Sequence, residues 1–197
     1  MSVAVFKAHA EKDVYQAFAA MPLFAKELGR LIATGRGAWP ELARTVEDEA
    51  FVRFLARHLP RETASADELS SLRAEELYLV CAYTLGIRAA HEIIESQYMT
   101  RVHKALLRLN TDAATIEDIE QELRRRLAEM ADPSVARRGY VGRSDLAAWL
   151  CLSGIREAGV RRKRDIRERP LEQANVEVLV NPERSPELKL LSQRHRA

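Results

Sequence analysis

The stretch AAHEIIESQYMTRVHKALLRL, residues 89–109, decides the fold class. Ile93, Ile94, Tyr98, Val102, Leu106 and Leu109 recur at three-, four- and five-residue steps, with charged and polar residues between them. That spacing puts the apolar side chains on one side of a long amphipathic helix from Ala89 to Leu109. Just before it, Leu72, Leu77, Val80, Cys81 and Tyr83 predict an apolar helix over Leu69 to Leu85, closed by Gly86. Just after it, Thr111 or Thr115 caps a helix that runs to Met130, whose early Glu117, Asp118 and Glu120 suit the positive end of a helix dipole.

The pattern continues in both directions. Towards the C-terminus, residues 131–143 form a basic loop with Pro133, Gly139 and Gly142. Ser144 or Asp145 then caps a helix through Leu146, Trp149, Leu150, Leu152 and Ile155. It ends in the cluster Arg161, Arg162, Lys163 and Arg164. Beyond Arg169-Pro170 the reading is a linker with a β-branched run, Val176 to Val180, and a short helix over residues 185–196. Towards the N-terminus, Val14, Phe18, Phe24, Leu28 and Leu31 mark helical structure that Gly35, Gly37 and Pro40 should stop. A helix from Glu41 to Leu59 follows and ends at Pro60. Ser65 or Asp67 offers the cap for the next, and a soft domain boundary falls in this loop.

Composition agrees with an all-α fold. Apolar residues are 47% of the 197, carried by Ala and Leu rather than by β-branched or aromatic types, and 30% are charged. The net charge of +2 means that any attraction to a polyanion must come from where the charges sit. Cys81 and Cys151 lie in separate helical patterns and read as reduced core residues, which suits a cytoplasmic protein. The N-terminus has no signal-peptide pattern, and no run of eighteen apolar residues predicts a membrane span.

Enzyme chemistry finds little support. The sequence holds no phosphate-binding glycine loop, HExxH, paired CxxC or GxSxG, and its five histidines are scattered, so no cofactor, metal or catalytic residue is expected. Carboxylates at Glu117, Asp118 and Glu122 leave open a metal-using enzyme built on this helix, although no nearby histidine completes a site. A stronger signal is the basic loop (Arg137, Arg138, Tyr140, Arg143) followed by a helix with Trp149, Arg156 and the cluster Arg161 to Arg164. Between Arg156 and Arg169 seven basic residues face three acidic ones, an excess suited to phosphate contacts through counterion release. Tyr140 and Trp149 could stack on unpaired bases, although Trp149 reads more readily as a core residue.

Together these features resemble region 2 of bacterial sigma factors, of the extracytoplasmic-function class and its large myxobacterial variants. That family's acidic helix, E-D-hydrophobic-x-Q-E-hydrophobic-x-x-R-L, is matched from Glu117-Asp118 through Gln121-Glu122 to Arg126-Leu127. Its Tyr-x-Gly-Arg and Trp-Leu are matched by Tyr140-Val141-Gly142-Arg143 and Trp149-Leu150. The resemblance covers residues 70–165 and implies an all-α helical bundle, with a helical N-terminal extension (1–66), a region 2-like domain (67–168) and a linker (169–197). It implies that Asp118, Gln121, Glu122 and Arg125 bind the largest-subunit coiled coil of core RNA polymerase. It also implies that Arg137, Arg138, Tyr140, Arg143, Trp149, Arg156, Arg161, Arg162, Lys163 and Arg164 bind promoter DNA at the −10 element, with an anti-sigma factor as a further partner. The family's Ile-Ala-Arg-Asn segment is here Ser153-Gly154-Ile155-Arg156, and its region 4 helix-turn-helix is not among these residues, although Glu187 to Leu191 looks like the approach to it. The rival reading is a helical polymerase-binding adaptor or inhibitor that has lost promoter recognition.

Overall fold

A computed structural model of the protein describes residues 2–132 and 139–168, with side chains through residue 164. Every regular element among them is helical: α1 (Ser2–His9), α2 (Lys12–Ala19), α3 (Phe24–Ala38), α4 (Asp48–His58), α5 (Ala66–Ser71), α6 (Ala74–Thr84), α7 (Arg88–Ile93), a π-helical segment (Ile94–Met99), α8 (Thr100–Leu107), α9 (Ala113–Glu129) and α10 (Leu146–Glu168). Short 3-10 turns at Leu42–Arg44 and Arg61–Thr63 flank α4. Residues through Arg156 make one compact unit; the chain from Glu157 makes a second. Among the described residues no single helix is long and apolar enough to cross a membrane.

Helix α6 is the centre of the first unit. Nine of its eleven residues are buried, from Ala74 and Glu76 to Tyr83, because its sequence is apolar on every side. Helix α3 lies against it at close range: a Cβ on Gly35 would stand 2.7 Å from the Tyr78 Cβ. Gly35 therefore does not stop α3, as its helix-breaking tendency suggested. It lets two backbones approach, and that packing outweighs the ~1 kcal/mol that glycine costs a helix. Around this crossing the Tyr78 hydroxyl donates to the Val46 carbonyl (3.1 Å), Trp39 Nε1 to the Glu75 carbonyl (2.8 Å) and Arg30 to the Leu69 carbonyl (2.7 Å). Elements on the two sides of residues 66/67 share one core. Phe6, Phe18 and Phe24 tie α1, α2 and α3 together with ring centroids 5.1–5.4 Å apart.

The remaining differences from the sequence reading have local causes. The helix expected over Glu41 to Leu59 begins only at Asp48. The helix expected over Leu69 to Leu85 is broken at Leu72, whose ψ of 137° is extended, and resumes at Ala74; Gly86, at φ +73°, does close it. Ser65 caps α5 as one of its two candidates, accepting from Glu68 N at 3.2 Å. The cap of α9 is Asp112 rather than either threonine: its carboxylate accepts from Thr115 N (2.9 Å) and from the Thr115 hydroxyl (2.6 Å). Asp145 caps α10, accepting from Ala148 N at 2.9 Å.

The predicted helix over residues 89–109 forms, with a π segment inside it. Ala90, Ile94, Tyr98, Val102 and Leu106 are all buried and are spaced four apart throughout. In an α-helix each four-residue step drifts about 40°, so this series would spiral off its face. The wider π turn takes up part of that drift. Leu109, expected on the core side, is instead 47% exposed beyond the helix end.

Candidate partner-binding faces

Helix α9 has two faces set by one register. Ile116, Ile119, Leu123 and Leu127 are buried, and Asp118, Gln121 and Arg125 are exposed on the other side with Glu122 half-buried beside them. The stripe 118, 121, 122 and 125 is therefore contiguous and solvent-facing, and it holds all four residues expected to dock a polymerase. Glu122 accepts from Arg125 (2.7 and 2.8 Å) and Arg126 (2.7 Å), and these hydrogen-bonded guanidinium groups bring its carboxyl down to about 2. Arg125 also pairs with Glu129, so the stripe presents a knit surface of both signs rather than a bare acidic patch.

A second set of ion pairs fixes α9 on the long helix. Arg124 makes a bidentate pair with Glu95 of the π segment (2.8 and 2.9 Å), and Glu120 accepts from or pairs with His103 Nδ1 at 2.9 Å. These four side chains, with Met99 and Lys104, line a groove of about 260 Å³. Their charges are largely satisfied by one another, which makes the groove a brace between α8 and α9. Helix α10 packs on the same two helices through Gly154: a Cβ there would meet Val102, Leu123 and Ile119 at 3.4–3.6 Å. Gly154 is therefore the point where α10 crosses its neighbours.

The Tyr140-Val141-Gly142-Arg143 segment is bound to the start of α5 and α6. Tyr140 is 1% exposed, and its hydroxyl donates to the Glu76 carboxylate while lying 2.6 Å from the Ser144 carbonyl. The Gly142 carbonyl accepts from Arg73 N at 2.9 Å, and Arg143 pairs with Glu68 at 3.3 Å. Gly142 has φ +78°, and a Cβ on it would lie 2.7 Å from Leu77 Cδ1, so both backbone conformation and space require glycine. Glu76 completes the clasp by accepting from Leu146 N at 2.9 Å, satisfying one of the orphan donors at the start of α10. Burial pushes the Glu76 carboxyl up, opposed by the Tyr140 and Leu146 hydrogen bonds, and burial likewise pushes the Tyr140 phenol up.

This geometry corrects one expectation. A ring as enclosed as Tyr140 offers no face to a base, so Tyr140 is a structural clasp and not a stacking platform. Trp149 is half-buried, its ring and that of Tyr140 meeting edge to face with centroids 5.9 Å apart, and so is partly a core residue. Arg143 and Arg156 are exposed in the first unit. In the second unit Arg162, Lys163 and Arg164 are exposed, and Arg161 pairs with Glu157 at 3.3 Å. Arg137 and Arg138, the β-branched run Val176 to Val180 and the helix expected over residues 185–196 lie outside the described residues.

Two groups were not singled out from sequence. Glu76 had only a weak signal, the second of two carboxylates just before the apolar run Leu77 to Tyr83; His58 had only its place at the end of an apolar helix. Comparison with protein-family models, with curated proteins and with solved structures found no match.

Proposed function

We propose that the chain is a sigma-factor-like transcription initiation protein that docks on core RNA polymerase through the outer stripe of α9 and contacts promoter DNA with exposed arginines. It acts by binding, without chemistry of its own. The observation that carries this reading is the agreement between the sequence resemblance and the α9 register: Asp118, Gln121, Glu122 and Arg125 fall on one solvent-facing stripe, braced from behind by Arg124 on Glu95. Such a stripe gives a partner helix alternating charges and an amide to pair with, on a rigid support. The DNA-facing set is Arg143, Trp149, Arg156 and the exposed Arg162, Lys163 and Arg164, with Tyr140 removed from it.

Co-purification with core polymerase tests the docking half. Asp118→Arg with Gln121→Ala should lower recovery at least tenfold while circular dichroism stays unchanged, because both positions are exposed. Undiminished recovery would refute the assignment. The burial of Tyr140 favours a second reading, the adaptor or inhibitor that keeps the docking face without base capture. A single-stranded −10 oligonucleotide that crosslinks to Trp149 in the polymerase complex would decide for the sigma-like reading.

A further inference from the structure

Helix α10 opens with Leu146 to Ile155, a run that holds no charged residue. Its inner side, with Leu146, Ala147, Leu150 and Gly154, is buried. The opposite side is as apolar and is open. There Ala148, Leu152 (54% exposed), Ile155 (38% exposed) and Gly159 follow one another at steps of four, three and four residues. That is the spacing of a coiled-coil seam, here about 17 Å long. A helix that is apolar on both sides is one that packs on both.

We infer that this seam pairs with the same seam of a second copy of the chain, the two α10 helices running antiparallel about a two-fold axis midway between Leu152 and Ile155. The sequence is matched to itself about that point. The axis sets Leu152 against Ile155 of the second copy, Ala148 against Gly159, and Asp145, at the start of the helix, against the exposed Arg162. Large side chains meet at the centre, small ones meet on either side of it, and at each end a carboxylate meets a guanidinium. Beside the seam, Trp149 of one helix falls next to Arg156 of the other, a cation against an indole. A parallel pair would instead set Asp145 on Asp145 and Arg162 on Arg162, like charges at both ends. A polyanion finds no cation in the four residues of the seam. A different protein would need only the apolar residues; that the chain's own sizes and charges pair about the centre selects a second copy. The pairing covers Trp149, Arg156 and Arg162, so on the DNA reading the two occupants compete, but the association itself does not rest on that reading.

A seam this short makes a weak dimer, with a Kd of about 100 µM. Sedimentation equilibrium of the full chain, without DNA, should show the mass rising from monomer towards dimer as the concentration passes through that value. Leu152→Glu with Ile155→Glu should weaken association at least tenfold and leave the circular dichroism unchanged, because both side chains are exposed. A chain that stays monomeric to several times that concentration, or a variant that associates as the parent does, overturns the inference. Disulfide trapping checks the register. Ala148→Cys and Gly159→Cys chains, each also carrying Cys151→Ser, are mixed and oxidised with diamide. The mixed disulfide should outweigh both homodimers, and a predominance of 148–148 and 159–159 links would overturn the antiparallel pairing.

Discussion

Acidification between pH 7 and pH 4 should loosen this protein chiefly through one buried side chain, His58. Its imidazole is 1% exposed and stacked on Phe54 with ring centroids 3.7 Å apart. Nδ1 donates to the Phe54 carbonyl at 2.8 Å, and among the described residues buried Nε2 has no partner of good hydrogen-bond geometry. Burial, with Arg57 adding to it, lowers the group to about 4 from 6.5; backbone groups of Phe54 and Met130 offset only part of this. The unfolded chain therefore takes up a proton near pH 6.5 while the folded chain resists until about pH 4. Stability from this residue is complete above pH 6.5 and is lost as the pH falls through that window. Linkage puts the loss at about 2 kcal/mol by pH 5 and about 3 kcal/mol by pH 4. Urea unfolding at a series of pH values would measure it, with His58→Phe as the reference, since phenylalanine keeps the stacking area and cannot titrate. The wild type should lose about 2 kcal/mol more than the variant between pH 7 and pH 5. Parallel pH profiles would show that His58 is not held neutral, and the argument from burial would fail.

Other expectations concern the clasp around Tyr140. Glu76→Ala should cost about 1–3 kcal/mol in urea unfolding, since it strands the Leu146 N–H in a buried place and leaves the Tyr140 hydroxyl only the Ser144 carbonyl, whereas Glu76→Gln keeps an acceptor and should cost less than half as much. Gly142→Ala should destabilise by about 2 kcal/mol or more, from a left-handed backbone and the contact with Leu77, and a neutral result would mean that the segment is not seated there. Gly35→Ala should likewise lower the urea midpoint, because the Tyr78 Cβ and ring would have to shift; an unchanged midpoint would contradict the close crossing of α3 on α6.

Most helices are legible from an apolar series at helical spacing, though α1 (Ser2–His9) carries too short a series to be read, and the face of α9 is legible for the same reason: Ile116, Ile119, Leu123 and Leu127 leave Asp118 and Gln121 outside whatever they pack on. Interruptions were harder to read. Glycine reads as punctuation at Gly35, yet there it serves a helix crossing that only the facing residue Tyr78 explains. Tyr140 illustrates the same limit for the site. An aromatic in a basic loop looks available for stacking, and its enclosure depends on Glu76, sixty-four positions earlier. Local pattern reports which side of a helix is wet; it does not report which distant carboxylate a loop will find.

The π segment makes chain length itself a constraint. Because Ile94–Met99 winds wider than an α-helix, it acts as one surplus residue stored in the middle of a rod. Deleting that surplus residue would let the rod relax to ordinary winding with its two ends still in phase, whereas deleting a residue just beyond it, at Thr100 or Arg101, would rotate everything downstream by about 100°. Val102 and Leu106 would leave the core, and Arg124 would no longer find Glu95 at the same phase. A matching insertion elsewhere in the segment would restore both, so the phase of α8 against α9, and with it the aim of the outer stripe, is set by a count of residues as much as by their kinds.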